Sequence, residues 1–148
     1  MIDNEAGRSN LPPRNTAKRL LRWLLALSMV WIGIKHFTSP ALFESIVPNY
    51  LPVHHALVLI SGFFEIAGGI GLLLPFVRRA AGLGLVLLYI AVFPANINMA
   101  LHPPPGYDTE TIRVILWLRL PLQALLIAWA LWVSRDENAM DKKTISTS

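Results

Sequence analysis

Strongly polar side chains stand inside stretches that are otherwise apolar, and besides Asn98 five of them could form a site: Lys35, Glu65, Asn96, Arg119 and Gln123. In hydrocarbon an ionisable group costs about 2.5 to 3.5 kcal/mol, so such a residue normally faces a bundle interior and marks a binding or proton-handling site. Glu65 is the one acidic residue within these stretches, and a buried Glu65–Arg119 pair is the simplest neutralisation, serving either a site or helix register. Lys35 then remains as a positive group that either faces a pocket or reaches head groups by snorkelling. Arg119 and Gln123, four residues apart, share one helical face, as do Tyr89, Phe93 and Asn96. Pro94 removes the hydrogen bond to the Ile90 carbonyl and frees an acceptor beside Asn96. A pocket bounded by the five suits a quinone head group or a small anion, with apolar walls for a tail.

Other chemistries find less support. The chain lacks cysteine, which removes thiolate zinc sites, iron–sulfur clusters, disulfides and cysteine nucleophiles. His36, His54, His55 and His102 match no zinc spacing, so no metal site is expected, and none lies deep enough to serve as an axial haem ligand. No phosphate loop, serine triad or paired catalytic carboxylates can be assembled. Catalysis by this chain would therefore need partners.

The elements that must position these residues are long and apolar. Of 148 residues, 54% are hydrophobic and 15% charged, against about 25% charged in a soluble domain. Four apolar blocks, 20–37, 55–74, 80–101 and 113–133, each approach the roughly 20 residues that cross a bilayer, and none alternates with a period of two. The expectation is an all-α, four-helix transmembrane bundle between a disordered basic tail over 1–19 and a polar cytoplasmic tail over 134–148. Ten of the thirteen basic residues flank the blocks on one side, and the two opposite connections have none, which predicts that both termini are cytoplasmic. On that topology Glu65 and Gln123 lie roughly 15 Å below the outer helix ends, Arg119 about 9 Å and Asn96 about 8 Å. All fall in the outer half or at the midplane.

Local signals refine the outline. A cleaved leader ending near Ala41 competes with an uncleaved first span, but Lys35 and His36 interrupt the approach and Pro40 sits awkwardly in the site. Ser39 and Pro40 suit the cap and first turn of a short interfacial helix ending near Pro48, with a tight packed loop as the alternative. Consecutive prolines at 103–105 favour an extended rim. Small residues in the second and third spans, including Ala67 with Gly71 and Ala80 with Gly84, permit close helix approach.

Gly33-Ile34-Lys35-His36-Phe37, Ser61-Gly62-Phe63-Phe64-Glu65-Ile66-Ala67-Gly68-Gly69, Phe93-Pro94-Ala95-Asn96-Ile97 and Leu118-Arg119-Leu120-Pro121-Leu122-Gln123 resemble the DoxX family of small four-helix membrane proteins. The likeness covers about residues 20–133. It implies a bundle in a bacterial-type inner membrane, acting as an accessory subunit of a quinone-linked or thiol and oxidative-stress redox system. Lys35 and Glu65 match family positions; Asn96, Arg119 and Gln123 follow a subgroup pattern without an assigned role. No cofactor is expected in the chain beyond a bound quinone. The expected partners are the bilayer, a quinone or small anionic ligand, redox proteins or further copies of the chain, and no nucleic acid. A non-redox binding, transport or assembly module is the alternative.

Overall fold

A computed structural model describes residues 14–135, so the expectations for 1–13 and 136–148 lie outside the described residues. The elements run α1 (Arg14–Thr38), α2 (Pro40–Glu44), α3 (His54–Leu73), α4 (Arg78–Leu101) and α5 (Glu110–Ser134). The four long helices are each apolar and long enough to cross a bilayer. Only 17–39% of the residues in each spanning window are buried inside the protein, and exposed side chains include Trp31, Phe63, Leu87, Leu118 and Leu125. So much exposed apolar surface is tolerable only against lipid. The fold is thus an all-α, four-helix, multi-pass membrane bundle.

Breakers set the ends. Leu74 precedes Pro75 and is extended (φ −89°, ψ 114°), which closes α3. His102 precedes Pro103 and closes α4 by leaving the helical region (φ −130°, ψ 76°). Chain entry into α3 passes through Val53 at φ 54°, a left-handed position that strains a β-branched residue. The expected short helix after Ser39 is present as the single turn α2 with Pro40 in its first turn, but Ser39 makes no side-chain capping bond and the helix stops at Glu44. Ile46 and Val47 are buried beyond it.

The first span begins earlier than expected. Residues 14–19, expected as tail, are the first turns of α1, because Lys18, together with Arg22 one turn further on, has work at the end of α5. Lys18 Nζ donates to the Arg135 carbonyl at 2.7 Å and Arg22 Nε to the Val133 carbonyl at 2.8 Å, both side chains being 7% exposed. The last carbonyls of a helix lack intrahelical partners and carry negative partial charge, so two cations satisfy them.

Packing runs α1 on α3, α3 on α4 and α4 on α5, while α1 meets α5 over a short stretch only. Helices α3 and α5 are therefore diagonal. One apolar cluster, including Leu25, Met29, Leu72, Leu85, Tyr89 and Val133, fills the half nearer the termini. A second, Ile46, Met99, Ala100 and Leu116, lies at the α2 end, where Asn98 Nδ2 donates to the Ile46 carbonyl at 3.0 Å. Ala67, Ala80 and Gly84, read as packing positions, are exposed, and a Cβ on Gly84 would meet nothing within 4 Å. The close approaches fall instead at Gly33, Gly62 and Gly69 between α1 and α3, and at Gly68 and Gly71 between α3 and α4.

Candidate functional site

The crossing of α1 and α3 builds the first part of the site. A Cβ on Gly33 would lie 2.7 Å from the Gly62 carbonyl oxygen, and one on Gly62 would lie 2.6 Å from His36 Cβ. With no side chain at either glycine the backbones close up, and His36 and Glu65, each three residues further along its own helix, come face to face. His36 Nδ1 stands 3.0 Å from Glu65 Oε2, with the two side chains 8% and 11% exposed. The two atoms are out of line for a hydrogen bond and have no other partner among the described residues. Phe43 of α2 lies edge-on to the imidazole at 3.8 Å between ring centroids and covers it.

The expected Glu65–Arg119 contact is thereby corrected. On α3 and α5 the two residues occupy diagonal helices, and the carboxylate meets the imidazole of the adjacent helix first. Arg119 is exposed, and its Nη1 points to the Met99 sulfur at 3.4 Å.

Asn96 and Gln123 are the two predicted site residues brought into direct contact. Asn96 Nδ2 donates to Gln123 Oε1 at 2.7 Å, and Gln123 Nε2 donates to the Tyr89 carbonyl. This differs by one residue from the Ile90 acceptor that Pro94 was expected to expose, and it fastens α5 to α4 beside the proline. Tyr89 Oη in turn donates to the Met29 sulfur at 3.1 Å, reaching α1. Lys35 lies apart from these groups, exposed, with Nζ 5.0 Å from the Trp31 ring centroid. Glu44, the acidic residue nearest to it in sequence on the connection that follows, pairs with His55 at 2.6 Å.

A polar layer thus lies between the two apolar clusters, formed by His36, Glu65, Asn96 and Gln123 with the Tyr89 backbone. A notch of about 180 Å³ opens beside it between α4 and α5, lined by Ile90, Phe93, Leu120, Gln123, Ala124 and Ile127. Among the described residues no three histidine or acidic side chains converge as a metal site would need. His36 escaped the sequence reading because it was assigned to the outer surface. The signal that could have found it is the matched spacing Gly33-x-x-His36 and Gly62-x-x-Glu65 on consecutive spans.

Comparison with known proteins adds a family to this geometry. A model described as a domain of unknown function, DUF8561, matches residues 25–134. The chain belongs to that family. The match runs from the fourth turn of α1 to the end of α5, so the DUF8561 domain includes both halves of the His36–Glu65 pair and the Asn96–Gln123 bond. Neither a curated protein nor a solved structure matches.

Proposed function

We propose that this DUF8561 protein is an accessory subunit, DoxX-like in role, of a quinone-linked or thiol and oxidative-stress redox system in a bacterial-type inner membrane. The carrying observation is the buried His36–Glu65 pair, an acid and a base held 3.0 Å apart where few side chains can ionise. A quinone taking two electrons from a partner protein also takes two protons to become a quinol. Either member of the pair can hold one such proton, on Nδ1 or on Oε2. The pair's unaligned atoms are free for a head group: a quinone carbonyl oxygen could accept from Nδ1–H, and a quinol hydroxyl could donate to Oε2. Glu65, Asn96 and Gln123 bound the proposed pocket, and Lys35 and Arg119, both exposed, stand outside it on the side away from the termini. A quinone analogue should bind the purified protein, and Glu65→Gln and Gln123→Leu should each weaken it about tenfold or more while the helical spectrum persists. Absence of binding by the wild type overturns the reading.

A second reading, an assembly or non-redox binding module, draws on the mutual satisfaction of Asn96 and Gln123, which leaves that part of the layer complete without a ligand. Co-purification with a redox protein bearing a flavin or haem separates the two.

The orientation belongs to the same proposal. Lys18 and Arg22 at the α5 end, with Arg78 and Arg79 after the α3–α4 turn, place the positive side at the termini. Reporter fusions after Arg79 and Ser148 should read as cytoplasmic, and those after Leu51 and Gly106 as external. The reverse pattern would invert the bundle.

A further inference from the structure

Arg119 stands nine residues into α5, about 14 Å along the helix from Glu110. It is exposed, and its hydrogen bond among the described residues goes to a thioether, a weak acceptor that leaves most guanidinium donors unused and no carboxylate in contact. Side chains on a helix lean toward its N-terminus, which for α5 is the α2 end. Met99 is two residues from the end of α4 at that same end. The guanidinium is therefore carried up toward head-group level along an apolar stem, as a snorkelling arginine is.

The lining of the notch between α4 and α5 includes Leu120, next to Arg119 in sequence, and Gln123, one helical turn beyond it. On α5 its lining begins at Leu120 and continues through Ala124 to Ile127, roughly 10 Å deeper into the membrane. Pro94 and Pro121 border it, each removing one helical hydrogen bond. An unanswered cation near the surface and an apolar channel leading inward from it are the two ends of one amphiphile.

We propose that Arg119 and the α4–α5 notch bind an anionic glycerophospholipid, its phosphate on the guanidinium and an acyl chain along the notch. A net anionic lipid supplies the missing charge, whereas a zwitterionic one brings its own cation beside the phosphate. A second copy of the described chain offers no carboxylate at this depth. Glu44 is held by His55, Glu65 is buried against His36, and Asp108 and Glu110 lie at or before the start of α5. This site shares Gln123 with the proposed quinone pocket but needs neither the His36–Glu65 pair nor any redox chemistry.

The test uses the purified full chain, with phosphatidylglycerol and phosphatidylcholine titrated separately and followed by native mass spectrometry and thermal unfolding. Phosphatidylglycerol should bind at least tenfold more tightly than phosphatidylcholine and raise the unfolding temperature. Arg119→Gln and Ala124→Trp, which fills the notch, should each remove that preference. Arg119→Lys should keep part of it, and Lys35→Gln, distant from the notch lining, should keep all of it. Inorganic phosphate alone should not stabilise, since it lacks a chain. Equal affinity for both lipids, or a preference that survives either Arg119→Gln or Ala124→Trp, overturns the proposal. So does association between copies that Arg119→Gln abolishes in the absence of lipid. Should Arg119→Gln not fold, loss of preference in Ala124→Trp with retention in Arg119→Lys decides in favour. A quinone analogue titrated on the same samples reads the other site, so failure of one leaves the other measured.

Discussion

His36→Leu should destabilise the bundle by about 3 kcal/mol in a reversible unfolding assay in detergent or bicelles. Breaking a buried pair by removing one partner costs about 3 to 5 kcal/mol, and the lower end applies because a stranded carboxylate takes up a proton rather than remain charged. Glu65→Leu should cost a similar amount, since it strands an imidazole that is 6% exposed under Phe43. The double variant should be more stable than the sum of the two losses predicts, because it leaves neither polar group behind. Strictly additive losses would show that the 3.0 Å approach carries no energy. Lys35→Gln is the control, expected below about 1 kcal/mol because an exposed cation over one indole contributes no more than that.

The second large effect is steric. Gly33→Ala puts a methyl group 2.7 Å from the Gly62 carbonyl oxygen and 3.1 Å from the Ile66 nitrogen. Both are backbone atoms of α3, so no rotamer change relieves the clash and the helices must part. A loss of about 1 to 3 kcal/mol is expected for such overpacking. Parting the helices also pulls His36 from Glu65, so Gly33→Ala should reduce the coupling measured in the double-variant cycle. Gly84→Ala, facing open space on α4, should be neutral or stabilise by about 0.5 to 1 kcal/mol through helix propensity. Equal behaviour of the two variants would mean that the crossing is not set by Gly33.

The two experiments separate contributions that a membrane bundle combines. Association of spanning helices relies on close packing and interhelical polar contacts, because lipid tails are as apolar as leucine. At the α1–α3 crossing one pair of glycines supplies both, the first directly and the second by bringing an acid and a base together.

What the residues alone determine here is what depends on length, periodicity and local chemistry. Four apolar blocks fix four spanning helices, since a backbone in hydrocarbon must satisfy its hydrogen bonds within each segment. Pro75 and Pro103 fix two helix ends through the residue before each, and the cost of burying polar groups singles out five residues, of which Glu65 and Gln123 are buried and Asn96 half-buried while Lys35 and Arg119 are exposed. Tertiary structure decides which polar group meets which. The order of helices around the bundle is invisible in a list of spans, and it makes α3 adjacent to α1 and diagonal to α5. Glu65 accordingly meets His36 rather than Arg119, Arg119 turns toward Met99 and the bundle surface, and Lys18 reaches 117 residues along the chain to the end of α5. Partner choice follows from helix adjacency and from where glycines let backbones touch, and both are properties of the assembled bundle rather than of any one segment.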